Sequence, residues 1–350
     1  MGVSHPDIVI GRGALADEIL VPRDGRTRVA ILSQDTAMGM ARPLGERLAA
    51  TGLAVEVIAL PDGEAAKTLE VAQDVYLALN RMGMTRHDSL VAVGGGSVTD
   101  LGGFVAATYL RGIEAVYCPT TLLGAVDAAI GGKTGVNVGG KNLVGVFAHP
   151  TRIVIDLEVL AALPAPLMRQ GMAEVLKAGL VGDLELVALL ERDGLTADLE
   201  AVVGRAGDVK VAVVRDDIRE AGRRAILNYG HTIGHAVEVS AGLSHGEAVA
   251  IGMVAAGAVS KELTGFSASD RQTAIIEKLG LPTSAPALDR DEAKRLVGLD
   301  KKRDSTGVRM VLLEAIGHPV VKPVDDATID LALDAVTAPS EHGQRETANG

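Results

Sequence analysis

The sequence predicts an α/β fold in which an N-terminal parallel sheet with helices on its faces is followed by a mainly α-helical C-terminal region. Short β-branched runs alternate with helical periodicity up to about residue 150, a pattern typical of β–α–β units. Beyond that point, nearly every apolar pattern has the helical period. We therefore expect an α/β domain over residues 1–151, a helical domain over 152–339 and a disordered polar tail over 340–350.

The strands of the first region are predicted from short apolar runs that end at polar or glycine residues. They span residues 27–33, 53–60, 89–93, 114–117 and 152–155. Helices are predicted between them, over 38–51, 68–83 and 98–108, with a turn over 61–67 where proline and glycine interrupt both periods. Strands that alternate with helices in this way form a parallel sheet.

The second region is predicted to be helical over 167–181, 184–192, 198–219, 222–240, 246–263, 268–279 and 290–298. A strand at 308–313 and a short helix at 327–335 follow. The longest apolar run, 248–260, is shorter than the roughly 20 residues that cross a bilayer, so we expect no membrane partner.

Composition excludes several classes of function. The formal charge of −11 opposes general affinity for phosphate backbones, and the 2% aromatic content leaves few rings for base stacking, so we expect no nucleic-acid partner. The single cysteine, Cys118, excludes an intramolecular disulfide and indicates a reducing, cytoplasmic location.

Three histidines within fifteen residues form the strongest candidate site. His231 and His235 are four residues apart on one face of a predicted helix, and Arg224 and Asn228 extend this polar stripe. His245 follows in a predicted loop. Imidazoles at this spacing suit zinc when a carboxylate completes the site, but they also fit a solvated face or a satisfied core pair. The HExxH pattern of zinc proteases is absent from the sequence.

Glu174 and Lys177 lie three residues apart on one face of a predicted helix. Such pairs are commonly weak surface ion pairs. The surrounding residues are apolar, however, which favours burial in a site. Glu174 is therefore the candidate third metal ligand.

Two glycine-rich segments are candidate anion sites. Gly94, Gly95 and Gly96 connect a predicted strand to a helix, which is the geometry of a phosphate cradle but also of an ordinary tight turn. The segment is not the GxGxxG fingerprint. Residues 131–142 form a predicted flexible loop that carries Lys133 and Lys141; these lysines could bind a phosphate or simply be solvated. A P-loop is not indicated, because residue 127 is aspartate where that motif requires glycine.

Taken together, these segments resemble the 3-dehydroquinate synthase family of sugar phosphate cyclases over roughly residues 8–320. The segments that match in family order are PDGEAAK (61–67), GGGSVTD (94–100), FVAATYLRG (104–112), PTTLL (119–123), VD (126–127), GGKTGVNVGGKN (131–142), AEVLK (173–177), NYGHTIGH (228–235), HGEAV (245–249) and DKK (300–302). The resemblance implies a Rossmann-like NAD-binding domain, a helical domain with one zinc or cobalt ion, and a cytoplasmic homodimer.

The resemblance also implies roles for individual residues. The metal ligands would be Glu174, His231 and His245. NAD would be bound by Asp62, Glu64, Lys67, Gly95, Gly96, Ser97, Asp100, Thr120, Thr121, Lys133 and Lys141. The sugar phosphate would be bound by Arg111, Asp127, Lys133, Lys141, Asn142, Lys177, Lys210, Arg224, Asn228, His235 and Lys302 or its neighbour Lys301. The catalytic set would be Lys133, Lys177, Glu220, Arg224, Asn228 and His235, with Glu220 and His235 at the proton-transfer positions.

The implied reaction converts 3-deoxy-D-arabino-heptulosonate 7-phosphate to 3-dehydroquinate and phosphate. Transient oxidation by NAD makes a neighbouring proton removable, phosphate leaves by β-elimination, and re-reduction, ring opening and aldol closure follow. NAD is unchanged after turnover, so the enzyme would be a carbon–oxygen lyase.

The chain departs from the family pattern at several positions. It reads VDAAIGGK over 126–133 where relatives often have VDSSVGGK, it has Ala162 at a position that often bears a hydroxyl, and His149 is displaced by one residue. Other sugar phosphate cyclases, of the aminodehydroquinate, deoxy-scyllo-inosose or epi-valiolone type, therefore remain alternatives. A glycerol or glycerol-phosphate dehydrogenase and a non-catalytic member are further alternatives.

Overall fold

The structure is a computed structural model that describes residues 6–17, 19–220, 222–301 and 307–337. The chain divides into two compact units, Met1–Pro164 and Ala165–Gly350. Lys302 and the tail predicted to be disordered, 340–350, lie outside the described residues.

The first unit is built on a six-stranded parallel sheet. The six strands of this sheet are β1 (Asp7–Gly11), β2 (Arg28–Gln34), β3 (Ala54–Leu60), β4 (Ser89–Gly94), β5 (Glu114–Pro119) and β8 (Arg152–Asp156). Two further strands, β6 (Lys133–Val136) and β7 (Val144–Phe147), form a separate pair. The sheet order is β1-β8-β5-β4-β2-β3. Because the chain passes from β3 back across β2 to β4, β2 and β4 flank the point where the strand order reverses, and this is where open α/β sheets bind ligands.

Helices cover this sheet and bury its central strands. They are α1 (Met38–Ala50), α2 (Leu69–Arg81), α3 (Gly96–Thr108) and the short α4 (Leu157–Ala161). Val29 and Ile31 of β2 pack with Ala41 and Leu44 of α1 in one core cluster. Every residue of β4 is buried, which accounts for its continuous apolar character. The predicted parallel sheet with helices is confirmed.

The segment predicted as a flexible glycine loop is instead partly an antiparallel hairpin. β6 pairs with β7, and Gly135 lies opposite Gly145. A Cβ atom at Gly135 would lie 2.6 Å from the carbonyl oxygen of Val144, so glycine is required for the two backbones to approach. The prediction was wrong because glycine content indicates either flexibility or close packing, and the sequence does not distinguish them.

The second unit is mainly helical, as predicted. Its described helices are α5 (Ala165–Gly182), α6 (Leu184–Asp193), α7 (Leu199–Asp216), α8 (His231–Ala241), α9 (His245–Thr264), α10 (Ser269–Lys278), α11 (Arg290–Lys301) and α12 (Asp326–Thr337). Strands β9 (Arg309–Ala315) and β10 (His318–Pro323) form an antiparallel hairpin, of which only β9 was predicted. Helix α9 packs against α5, α8, α10, α12 and β9. None of the helices in the described ranges has the length and apolar character needed to cross a membrane.

The single helix predicted over 222–240 is wrong. A 3-10 helix covers Arg223–Asn228, Gly230 has a left-handed φ of 81°, and α8 begins at His231. A Cβ atom at Gly230 would lie 2.9 Å from the backbone nitrogen of Met253 on α9, so tertiary packing sets this break. Arg224 and Asn228 therefore do not share a helical face with the two histidines. His245, expected in a loop, is the first residue of α9.

Candidate active site

Glu174, His231 and His245 converge inside the second unit. Glu174 lies on α5 with its side chain 1% exposed. Its Oε1 atom is 3.6 Å from Nε2 of His231 and 3.4 Å from Nε2 of His245. One ligand atom from each residue lies within 4.8 Å of the others. The three residues come from three different helices, so the fold rather than one local motif assembles them.

Close packing at the start of α9 brings His245 to Glu174. Ser244 and Glu247 form a capping box, in which the backbone nitrogen and Oγ of Ser244 lie 3.1 Å and 2.6 Å from the Glu247 carboxylate. A Cβ atom at Gly246 would lie 2.4 Å from Cα of Gln170 on α5. The backbone of α9 therefore touches α5 one turn before Glu174.

Both histidines are oriented through their Nδ1 atoms. Nδ1 of His231 lies 3.2 Å from the carbonyl oxygen of Tyr229, and Nδ1 of His245 lies 2.9 Å from Oε2 of Glu238. These acceptors hold a proton on Nδ1 of each ring, so the nitrogen turned toward Glu174 is Nε2. Tyr229 and Glu238 were not among the residues predicted from the sequence, although Glu238 follows His231 by seven residues on the same helical face.

The electrostatics of the cluster depend on neighbouring charges. Burial opposes ionisation of Glu174, but Lys177, with which it forms an ion pair, and the two histidines hold its pKa well below the usual value. Burial, together with Lys177, lowers the pKa of His231 to about 3. Burial also opposes the charge on His245, but the carboxylates of Glu174 and Glu238 raise its pKa to about 10.

This arrangement fits a divalent cation. Oε1 of Glu174 accepts no hydrogen bond within the described part of the chain, although it is fully buried. An unsatisfied buried carboxylate oxygen is costly, and the Nε2 atoms of two imidazoles face the same oxygen. One carboxylate and two histidines form a donor set that binds zinc or cobalt and leaves room for a substrate oxygen.

The described part of the second unit buries three cations on elements that pack together, α5, α7 and the 3-10 helix. These are Lys177 at 3%, Lys210 at 8% and Arg224 at 1% exposure. Nη1 of Arg224 donates to the carbonyl oxygen of Ile218 at 2.9 Å, and the backbone nitrogen of Arg224 donates to Asp217 at 3.0 Å. Buried cations on neighbouring elements favour an anionic ligand in this part of the unit.

The predicted proton-transfer residues are also found in this unit. Nδ2 of Asn228 donates to Oε1 of Glu220 at 3.3 Å, and Glu220 has a left-handed φ of 56°. The ring centroid of His235 lies 5.2 Å from that of His231. Asp217, which sequence analysis missed, accepts a backbone hydrogen bond from Gly222 at 2.7 Å and so fixes the segment that carries Glu220.

The predicted cofactor residues of the first unit gather at one edge of its sheet. They follow the carboxyl ends of three strands: β3 (Asp62, Glu64, Lys67), β4 (Gly95, Gly96, Ser97, Asp100) and β5 (Thr120, Thr121). Between β4 and α3 the chain makes a glycine turn at Gly95, and α3 begins at Gly96 without a side-chain cap, which leaves backbone N–H groups for a phosphate. The backbone therefore fits the pyrophosphate of a dinucleotide at the switch point of the sheet.

Lys67 is the centre of a polar network at this edge. Its side chain is 4% exposed, and Nζ lies 2.7 Å from Oδ2 of Asp100 and 2.6 Å from Oδ1 of Asn142. Burial raises the pKa of Asp100 to about 6, against the opposing effect of Lys67. Asn137 connects the two sides, because Nδ2 donates to Glu64 at 2.9 Å while Oδ1 accepts from the backbone nitrogen of Asn142.

Gln34, which was not among the residues predicted from the sequence, also lies at this edge. Its side-chain nitrogen donates to the carbonyl oxygens of Pro61 and Gly63 at 2.7 Å and 3.0 Å. Gln34 ends β2, so it fixes the turn that carries Asp62 and Glu64. A polar residue that ends an apolar strand is the signal that could have indicated it.

The remaining predicted residues of the first unit are distributed differently. Lys133 is exposed at the start of β6, and Lys141 is exposed beyond the end of that strand. The negative charge of Asp127 contributes to raising the pKa of Asp100. Arg111 has a φ of 64° and precedes β5, which places it at the amino-terminal edge of the sheet. The structure therefore does not bring Arg111 to the glycine turn of its own unit.

Solved structures of known enzymes share this fold over nearly the whole chain. A 2-epi-5-epi-valiolone synthase from Streptomyces hygroscopicus subsp. jinggangensis, with NAD+ and Zn2+ bound, has a TM-score of 0.85 at 31% identity, covering 95% of this chain and 97% of that one. A 2-deoxy-scyllo-inosose synthase complexed with carbaglucose-6-phosphate, NAD+ and Co2+ has a TM-score of 0.84 at 27% identity, covering 93% and 96%. Fold and site thus define a protein of the sugar phosphate cyclase class.

Sequence comparison identifies the family within that class. The 3-dehydroquinate synthase N-terminal family matches residues 57–170, and the C-terminal family matches residues 171–303. The 3-dehydroquinate synthase of Thermobifida fusca (strain YX) is 42% identical over 349 residues, which is 96% of this chain and 95% of that protein. The chain belongs to the 3-dehydroquinate synthase family, which confirms the resemblance predicted from its motifs.

Proposed function

We propose that this chain converts 3-deoxy-D-arabino-heptulosonate 7-phosphate to 3-dehydroquinate and phosphate. Family membership supports the reaction, and the convergence of Glu174, His231 and His245 is the structural observation that carries it. When bound, NAD supplies transient oxidation of a substrate hydroxyl, and a divalent cation polarises the oxygen of that hydroxyl. The cofactors of the solved relatives support the choice of NAD with zinc or cobalt.

The metal would be held by the carboxylate of Glu174 and by Nε2 of His231 and His245. Tyr229 and Glu238 orient the two rings, and Lys177 keeps Glu174 ionised. Burial of the Glu174 side chain, which is 1% exposed, excludes water from around its carboxylate. The fully buried Oε1 atom of Glu174 supports this assignment, because a cation would satisfy it.

NAD would be held by the residues at the carboxyl ends of β3, β4 and β5. The N–H groups at the start of α3 would bind the pyrophosphate, and Lys67 would keep Asp100 and Asn142 in place. Thr121 supports the turn, because its Oγ1 accepts a hydrogen bond from the backbone nitrogen of Gly124 at 3.0 Å. Lys133 and Lys141 would contribute positive charge near the cofactor or the substrate.

The substrate carries a carboxylate and a phosphate, so its recognition requires cations. In the second unit, Lys177, Lys210 and Arg224 would stabilise these anionic groups and the departing phosphate. The remaining substrate contacts are proposed to be Arg111, Asp127, Lys133, Lys141, Asn142, Asn228, His235 and Lys302. Glu220 and His235 would hold or move protons, and Asn228, hydrogen-bonded to Glu220, would position that carboxylate.

A single incubation tests the proposal. The metal-loaded protein is mixed with the heptulosonate phosphate and NAD, and phosphate, 3-dehydroquinate and NADH are followed together. We expect phosphate and 3-dehydroquinate in equal amounts with no net NADH. Accumulation of NADH would indicate a dehydrogenase. Turnover only of sugar phosphates that lack the carboxylate would indicate one of the other cyclases.

We further propose that the protein is a cytoplasmic homodimer. Exposed apolar side chains on α2 (Leu69 and Leu77) and on β7 (Val144 and Phe147) offer surface for a second copy. The one cysteine, Cys118, is buried and free, which is consistent with a reducing compartment. Light scattering combined with size-exclusion chromatography would measure the mass of the assembly. A monomer at micromolar concentration would contradict the proposed homodimer.

A further inference from the structure

We propose that Glu238 is a positioning residue of the metal site, which holds the ring of His245 and strengthens its Nε2 atom as a metal ligand. This inference rests on the proposed metal site and deepens it. Glu238 lies on α8 and His245 begins α9, so the contact joins two helices across the turn at Gly242.

The geometry is that of a carboxylate–histidine–metal arrangement. Oε2 of Glu238 lies 2.9 Å from Nδ1 of His245, and Nε2 on the other side of the ring lies 3.4 Å from Oε1 of Glu174. The side chain of Glu238 is 15% exposed, so solvent screens this contact only weakly. A histidine held in this way has one tautomer and one ring orientation.

The two histidines differ in the group that holds them. His231 faces the neutral carbonyl oxygen of Tyr229 at 3.2 Å, whereas His245 faces a carboxylate. A charged acceptor makes a stronger hydrogen bond and increases electron density on the ring. His245 is also the more exposed of the two, at 33% against 12% of its side chain. Glu238 therefore supports the ligand that its surroundings hold less tightly.

Two substitutions separate orientation from charge. Glu238→Gln keeps an oxygen that can accept the Nδ1 proton but removes the negative charge. Glu238→Ala removes both. Glu262→Gln is the matched control, because Glu262 is an exposed glutamate on α9. None of the three changes replaces a proposed metal ligand.

The experiment measures Co2+ binding by visible absorption in the absence of NAD and substrate, together with the melting temperature in chelator. We expect Glu238→Ala to bind Co2+ about 10–100-fold more weakly, the range measured for outer-shell partners of metal ligands. Glu238→Gln should bind Co2+ measurably more weakly than the original protein, but by less than about 10-fold, because orientation is retained and only the charge is lost. Glu262→Gln should match the original protein. The Co2+ spectrum of Glu238→Ala should also change, because the ring is free to rotate.

A purely structural role predicts a different result. In that case both Glu238 variants would melt at lower temperature in chelator but bind Co2+ with unchanged affinity and spectrum, which would overturn the inference. If the original protein itself binds no Co2+, then the proposed metal site fails, and this outcome is distinct from a failure specific to Glu238. Because Glu238→Gln conserves shape, it provides the test even if Glu238→Ala does not fold.

Discussion

At the scale of single residues, buried charges mark both candidate binding regions. Glu174 and Lys177 form an ion pair inside the second unit, and Lys67 contacts Asp100 inside the first. Burying a charge costs more free energy than a typical surface ion pair contributes, so buried charges are expected where binding or catalysis requires them. The sequence predicted the burial of Glu174 and Lys177 from their apolar neighbours. It did not predict the contact of Lys67 with Asp100, because these residues are distant in sequence.

Lys67→Met should destabilise the first unit in a pH-dependent way. The pKa of Asp100, about 6, lies above its unfolded value, so the stability that this group contributes is full below about pH 4 and is lost as pH rises through 6. Removing Lys67 raises this pKa further. The melting temperature should fall little near pH 5 and clearly near pH 7.5, where a broken buried pair costs about 3 kcal/mol.

The control for this prediction is Asp100→Asn in the Lys67→Met background. The double variant has no carboxylate at position 100, so its loss in melting temperature should be the same near pH 5 as near pH 7.5. A melting deficit that is equal at both pH values in the single variant would show that Lys67 acts through packing and not through Asp100.

His231→Ala should abolish metal binding and activity while leaving the first unit folded. Loss of a direct ligand should weaken metal binding by more than the about 100-fold that loss of an outer-shell partner can cause. Bound metal is measured by elemental analysis, and NAD binding by calorimetry reports on the first unit. Normal phosphate release by this variant, or by chelator-treated protein, would contradict the metal assignment.

At the scale of secondary-structure elements, glycines set the distance between α8 and α9. A Cβ atom at Gly252 would lie 1.9 Å from the carbonyl oxygen of Gly230, and one at Gly234 would lie 3.0 Å from that of Ala248. His231 and His245 are carried by these two helices. The ligand distance therefore depends on backbone contacts that contain no polar side chain.

Gly252→Ala should consequently damage both stability and metal binding. Overpacking costs about 1–3 kcal/mol or more when backbone must move, and separation of the helices should weaken Co2+ affinity as well. Gly204→Ala on α7 is the matched control, because no atom lies within 4 Å of its added Cβ, and it should raise stability by about 0.4–1 kcal/mol. Thermal unfolding and Co2+ titration of both variants check this, and equal behaviour would refute the packing argument.

At the scale of the whole molecule, the metal should stabilise the second unit, because its ligands come from α5, α8 and α9. A ligand that binds only the folded state at 100 times its dissociation constant adds about 2.7 kcal/mol. Calorimetric unfolding with chelator and with added zinc or cobalt should show a higher melting transition in the presence of metal. A transition that does not move, with metal bound, would mean that the site also binds metal in the unfolded chain.

The sequence by itself determined the class of the fold, most of the secondary structure and the family. Strands and helices could be told apart because their apolar residues recur with different periods, and their alternation predicts a parallel sheet. The family could be recognised because the ordered motifs from 61–67 to 245–249 are specific as a set. The candidate residues Glu174, His231 and His245 could be named for the same reason, since spacing and residue type are local properties.

Only the tertiary structure decided where helices break and how side chains are held. The break at Gly230, the hairpin in the glycine-rich segment and the contact of Glu238 with His245 depend on backbones or side chains that meet only after folding. Contacts between residues distant in sequence produce no periodic pattern in the sequence. That is why the sequence could name candidate residues for the site but not the groups that orient them.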